Sequence, residues 1–236
     1  MRARRLLALL VVAGVLAGGA RAETPVPATL QPIFAPLSRT ATPEQYQQIL
    51  GAVNASPMLA KELEILVARR KLAAITVLPG HNSAGSPYNA WADRSAIVLH
   101  ADFLKAQRAN RAVDVTHADD ILPNNTVFCL GHLAYHLAIE DPSPQGTSLQ
   151  VYLRQRLERE AGAFMQGWNN VVDAAVHANG GKPLGSRQVA QLLLNMRYRF
   201  ALMKAEISPN GYIETNPRNI DAIVSVLRVS PLTDIQ

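Results

Sequence analysis

The stretch NNTVFCLGHLAYHLAIEDP, residues 124–142, carries two histidines four positions apart. The apolar spacing from Pro123 to about Ile139 predicts an α-helix. Residues i and i+4 of a helix lie on the same face, one turn apart. We therefore expect the imidazoles of His132 and His136 to lie side by side, where they supply half of a zinc ligand set. The alternative is an ordinary pair of histidines at the polar edge of a packed helix.

A second helical segment follows and supplies acidic side chains. It is predicted from about Leu149 to Ala178, and the loop EDPSPQGTS separates it from the histidine segment. A loop of this length lets the second helix return antiparallel beside the first. Glu158 and Glu160 then become the candidates for a third metal ligand.

The two segments together resemble the zincin-type metallopeptidases that use a glutamate as third zinc ligand. In that family one helix carries H-E-x-x-H and the next carries E-x-x-A-D. Here the first pattern reads HLAYH, and residues 158–162 (EREAG) follow the second as far as the alanine. The segment GSPYNAWADRSAIVLHADFL stands where the family places a strand that borders the substrate cleft. The resemblance implies a zinc ion held by His132, His136 and Glu158.

The chain departs from the family pattern at two positions. Leu133 replaces the glutamate that polarises the zinc-bound water, and a leucine cannot accept a proton. Gly162 replaces the aspartate that often supports a ligating histidine, a role that Asp173 is expected to take over. These departures predict a degenerate active site that binds metal and hydrolyses peptides poorly or not at all. Glu160 is the candidate for a substitute base.

The first residues have the layout of a cleavable secretory signal. A basic stretch at 2–5 precedes an apolar run at 6–16 and the small residues ending at Ala22. The run is too short to span a membrane as a helix. We expect a periplasmic or secreted bacterial protein with no transmembrane segment after cleavage. The whole chain has 23 basic and 18 acidic residues, whereas residues 23–236 have 19 and 18. With no basic stripe interleaved with aromatics, a nucleic-acid partner is not expected.

The remaining pattern predicts one α+β, helix-dominated domain over residues 41–236, with a small sheet of two or three strands. The family resemblance implies that its fold is zincin-like. Residues 23–40 are rich in Pro and Thr and are expected to form an extended arm. LAAITVLPG and SAIVLH are short apolar runs with β-branched residues and read as strands.

Capping residues predict further helices. Thr42 before Pro43, and Ser56 before Pro57, read as helix starts. Another helix, with an apolar core that is expected to be buried, is predicted from Ser186 to about Glu206.

The single cysteine, Cys129, lies among apolar residues and is expected to be buried rather than reactive. Trp168, on the long helix, is likewise expected to lie in the core.

Three functions fit these observations. The first is an exported pseudoenzyme that binds a protein or peptide partner of the cell envelope along the SAIVLH strand, with or without zinc. The second is an active zinc hydrolase that uses a substitute base. The third is a helical periplasmic binding or immunity-type protein whose histidines hold no metal.

Overall fold

The computed structural model describes residues 25–80, 95–102, 104, 123–194, 196 and 199–228. The predicted signal at 1–22 lies outside these residues. The helices are α1 Gln31–Thr40, α2 Pro43–Ala55, α3 Pro57–Ala68, α4 Pro123–Ala138, α5 Leu149–Ala178, α6 Ser186–Leu194, α7 Arg199–Leu202 and α8 Pro217–Leu227, and the strands are β1 Ala74–Leu78 and β2 Ala96–His100. The predicted α+β class, dominated by helices, is confirmed. No helix among these ranges is both long enough and apolar enough to cross a membrane.

Side-chain caps begin the helices where the sequence predicted starts. The Thr42 hydroxyl accepts from the backbone N–H of Gln45, whose side chain accepts from the N–H of Thr42, so a full capping box opens α2. Ser56 caps α3 in the same position before a proline, and Ser148 caps α5. Local chemistry alone therefore fixes the start of each of these helices.

The small sheet consists, in the described part of the chain, of two parallel strands. Ala74 pairs with Ala96 and the register continues to Leu78 with His100. Alternate residues of both strands point into the core, namely Ile75, Val77, Ile97 and Leu99. The short apolar runs with β-branched residues correctly predicted both strands.

The prediction of an extended arm over 23–40 is wrong for Gln31–Thr40, which forms α1. Ile33, Phe34 and Leu37 are buried at helical spacing, and the Thr40 hydroxyl accepts from the N–H of Val77 in β1 at 3.1 Å. Burial of this apolar face outweighs the hydrogen bond that Pro36 removes inside the helix. The segment therefore belongs to the domain core.

One continuous helix was expected from Ser186 to about Glu206, and this prediction is also wrong. Helix α6 ends at Leu194, and a separate turn of helix begins at Arg199. The apolar residues of the segment were expected to be buried. Leu193, Met196 and Leu202 are buried, whereas Leu194 and Phe200 are 56% and 66% exposed.

The centre of the core lies between α4 and α5. Phe128 and Cys129 on α4, and Phe164 and Trp168 on α5, are all at most 2% exposed. The Trp168 indole N–H donates to the carbonyl of Gly211 at 2.8 Å, so its polar atom is satisfied. The expectations of a buried Cys129 and a core Trp168 are confirmed.

A carboxyl group joins α3 to α5. Both oxygens of Glu62 accept hydrogen bonds, one from the side chain of Gln166 and one from that of Asn170 at 3.0 Å. Burial raises the pKa of Glu62 to about 7, against the pull of these two donors. The folded protein therefore holds this proton at pH values where the unfolded chain has lost it.

We predict that this proton makes stability fall as pH rises. The pKa of Glu62 is about 7 in the folded protein and 4.5 in the unfolded chain. The stabilisation that this proton provides is therefore complete below pH 4.5 and is lost as pH rises from 4.5 to 7. The loss is at most about 3 kcal/mol. The wild type and Glu62→Gln are compared by urea unfolding at several pH values. The free energy of unfolding of the wild type, relative to that of the variant, should fall as pH rises through this range. Glu64→Gln, on the same helix, is the matched control. A difference that stays constant across this range contradicts the prediction.

Candidate metal centre

Helix α4 places its two histidines as the i, i+4 spacing predicts. The Nε2 atoms of His132 and His136 lie 3.1 Å apart, and their side chains are only 12% and 15% exposed. Aromatic rings hold the first imidazole: His132 stacks on Phe128 and meets Phe164 edge-on at 5.3 Å between ring centroids. Packing thus directs both Nε2 atoms toward one point.

Glu160 on α5 completes the cluster from the opposite helix. One carboxylate oxygen lies 3.2 Å from Nε2 of His132, and the other lies 3.1 Å from Nε2 of His136. The three side chains form a group of ligand atoms that can hold a metal ion. The antiparallel return of α5 beside α4 is what brings the carboxylate there.

The spacing of these atoms suits a small divalent ion. Ligand atoms placed 2.0–2.2 Å from zinc at tetrahedral angles lie roughly 3.3–3.6 Å from one another. The two Nε2 atoms lie 3.1 Å apart, and each lies 3.1–3.2 Å from a different oxygen of Glu160, so these separations are slightly shorter than that range. A slight opening of the cluster would therefore fit an ion and leave one coordination position to another ligand.

The electrostatics favour the protonation states that a metal requires. The two histidines hold the pKa of Glu160 far below its usual range, despite the opposing effect of burial. Burial lowers the pKa of His136, although Glu160 opposes the change. A carboxylate and a neutral imidazole are the ligand forms of these side chains.

The second nitrogen of each imidazole, Nδ1, is not oriented by a hydrogen bond among the described residues. The Nδ1 atoms of His132 and His136 are buried and have no hydrogen-bond partner among the described residues. Ligating histidines usually donate this N–H to a carboxylate or carbonyl, which orients the ring. Here the orientation comes from ring packing, and Asp173, expected as the supporting carboxylate, lies elsewhere. It accepts from the Ser56 hydroxyl at 2.7 Å and from the N–H of Met58 at 2.8 Å at the start of α3.

This geometry brings Glu160 to the histidines and leaves Glu158, the predicted third ligand, apart from them. Its carboxylate accepts from Nε of Arg154 at 2.5 Å, and the side chain is 40% exposed. Two residues turn a helix by about 200°, so Glu158 and Glu160 point to nearly opposite sides of α5. Because Glu160 occupies the ligand position, it is not placed as a separate base.

Leu133, the residue that replaces the glutamate of the family pattern, lies in the core of the structure. Its side chain is 5% exposed and belongs to the hydrophobic core. Among the described residues, the carboxylate that meets the histidines is Glu160 itself. The cluster thus contains three candidate ligands, and in the described part of the chain no further acid joins them.

Glycines let the two helices approach closely around the cluster. A Cβ on Gly167 would lie 2.7 Å from the backbone carbonyl of Phe128, and one on Gly162 would lie 2.2 Å from the hydroxyl of Tyr135. Gly162 stands where the family pattern has an aspartate. Because it has no side chain, it leaves the space into which Tyr135 packs. The sequence did not indicate this role, because small residues at a helix contact are recognisable only once the partner helix is known.

Arg159 is a further residue that sequence reasoning missed. Its guanidinium donates to the carbonyl of His136 at 2.6 Å and to that of Ile139 at 3.1 Å, and it pairs with Asp141. A cation on the last carbonyls of a helix stabilises that end. Arg159 thus fixes the end of α4 that carries His136, immediately beside the ligand Glu160 in sequence.

Comparison of the chain with protein-family models, with curated proteins and with solved structures gives no match.

We predict that Gly167→Ala destabilises the protein by about 1–3 kcal/mol, because the added methyl group meets backbone that cannot rotate away. Gly51→Ala is the matched control, since a Cβ at this position of α2 meets nothing within 4 Å. Alanine is the better helix former, so the control should stabilise the protein by up to about 1 kcal/mol. Urea unfolding measures both changes. Equal effects of the two substitutions would show that α4 and α5 are not in close contact.

Proposed function

We propose that the protein is an exported, zincin-like zinc-binding protein that does not hydrolyse peptides. The observation that carries this proposal is the convergence of two imidazole nitrogens and one carboxylate on a single point from two antiparallel helices. The i, i+4 histidines followed by a ligand from the next helix are the arrangement that the family resemblance implies. The exported location rests on the leader-like residues 1–22.

Zinc is favoured by the chemistry of the ligand set. Two imidazoles and one carboxylate are the borderline ligands that zinc takes, whereas calcium and magnesium prefer six or more oxygen ligands, including water. Three protein ligands leave one tetrahedral position open. In a hydrolase that position holds the water that a general base activates.

The absence of catalysis follows from Leu133. General-base help typically supplies about 10²–10⁴-fold in rate, and Leu133 cannot provide it. Glu160 would have to leave both histidines, and so give up the metal, to act as a base. Binding to a protein or peptide partner of the cell envelope is then the function that remains. An extended peptide along the edge of β2 that pairs with no strand among the described residues would use the strand pairing common in peptide recognition.

We predict that the purified chain, prepared without a histidine tag, binds one zinc ion. Glu160→Gln should weaken zinc binding by more than about 100-fold, because even residues that only support the ligands contribute 10–100-fold. Glu158→Gln, two positions earlier on α5, should leave the affinity unchanged. Competition with a chromophoric chelator measures the affinity, which should fall as pH is lowered because protons compete for the imidazoles.

The two glutamates distinguish the hypotheses. If Glu158→Gln abolishes binding and Glu160→Gln does not, the ligand set is that of the family pattern. If neither substitution changes the zinc content, the histidines and Glu160 form only a hydrogen-bonded cluster, and the proposed function is wrong.

We also predict that the zinc-loaded wild type cleaves no peptide above background. Leu133→Glu should gain slow hydrolysis of unstructured peptides that is lost on chelation, while Leu133→Gln, which has similar size and no basic carboxylate, should gain none. Circular dichroism checks that each variant folds, since position 133 is buried. Zinc-dependent cleavage by the wild type that disappears in Glu160→Gln would instead support the active hydrolase.

A further inference from the structure

A concave site lies where α3 meets the helix pair α4 and α5. It is a cavity of about 150 Å³ between α3, the residues that follow it, and the C-terminal part of α4. Its lining includes Glu62, Ile65, Leu66, Lys71, Tyr135 and Ala138. It contains none of the three residues of the metal cluster, so it is a separate place on the molecule.

The size and walls of the cavity suit a compact apolar group. Aliphatic and aromatic side chains form most of the lining, with Ile65 and Leu66 on α3 facing Ala134 and Ala138 on α4. A cavity of about this volume lined by aliphatic side chains holds one benzene ring. The small side chains of Ala134 and Ala138 leave this space open, whereas larger side chains at these positions would fill it.

The charged groups of the cavity are mainly positive. Lys71 donates one N–H to the carbonyl of Ala138 at 2.6 Å, and an ammonium group carries three such donors. Arg69 adds a second cation to the lining. The carboxyl group of Glu62 already accepts from two amides, and its raised pKa of about 7 keeps it mostly uncharged in mildly acidic solution. An anionic head group would therefore meet complementary charge here.

We propose that this cavity binds a small carboxylate with an apolar body of about one ring, the body lying between α3 and α4 and the carboxylate contacting Lys71. The remaining donors of the ammonium group supply the charged hydrogen bond, and Arg69 contributes attraction at the opening. An amine ligand is disfavoured because the two cations repel it and both oxygens of Glu62 already have donors. This binding goes beyond the zinc site and does not depend on it.

Benzoate, benzyl alcohol and benzylamine test the proposal, since they share one ring and differ in the head group. Binding to the purified full-length chain is measured by ligand-observed NMR and calorimetry. Because a carboxylate can also ligate zinc, the titrations use chelator-treated protein and are repeated with His136→Ala. We expect benzoate to bind best, with saturation, in both proteins. Loss of benzoate binding in His136→Ala would place the ligand at the metal cluster and overturn the proposal.

Two substitutions locate the ligand within the cavity. Lys71→Gln should weaken benzoate by about tenfold, the effect of one hydrogen bond to a charged group, and should leave benzyl alcohol nearly unchanged. Lys61→Gln, an exposed lysine on α3 whose side chain is 71% exposed, is the matched control. Ala138→Leu should abolish binding of both ligands by filling the cavity, and it retains a good helix former.

Thermal unfolding confirms that each variant is folded. Tighter binding of benzylamine than of benzoate would show that Glu62 is the anchor, and the proposed ligand class would be wrong. Equal benzoate affinity in Ala138→Leu and the wild type, or no saturable binding of any probe, would also overturn the proposal.

Discussion

The close contact between α4 and α5 is the constraint on which the rest of the structure depends. At Gly167 the backbone of one helix lies where a Cβ would be, and at Gly162 a tyrosine occupies that space. Helices that approach this closely have little freedom to slide or rotate, because packed interiors are as dense as crystals. That rigidity converts two sequence segments into one ligand cluster, since His132, His136 and Glu160 meet only at this register and rotation.

The same contact explains why one helix pair can present two different sites. The histidines leave α4 on the side that meets Glu160, while Ala134, Tyr135 and Ala138 line the cavity toward α3. Tyr135 lies between the two regions, with its hydroxyl packed on Gly162 and its ring 6.4 Å from that of His136. A substitution that repositions this side chain would therefore affect both the helix contact and the cavity.

Local sequence signals predicted the elements that local chemistry determines. Capping residues at Thr42 and Ser56 predicted the starts of α2 and α3, and short apolar runs with β-branched residues predicted both strands. Helix α1 was missed because its prolines outweighed the apolar spacing of Leu30, Ile33, Phe34 and Leu37, which only the fold reveals as a buried face. The histidine pair was predictable because it lies within one helix turn. The choice between Glu158 and Glu160 was not, because it depends on the rotation of α5 about its own axis, and no spacing within one segment contains that information.

That rotation also decides what chemistry the cluster can support. With Glu158 as ligand, Glu160 would have pointed to nearly the opposite side of α5, so one helix cannot place one of these glutamates as ligand and the other as a base near the ion. The structure uses Glu160 as the bridge between both imidazoles and directs Glu158 to Arg154 at the surface. The one acid that reaches the histidines is thus committed to them among the described residues, and the neighbouring position 133 is a core leucine. Under the proposed function, the residues that would hold the metal are therefore the same residues that leave no separate acid to activate water in the described part of the chain. The proposal is accordingly one of binding rather than of peptide cleavage.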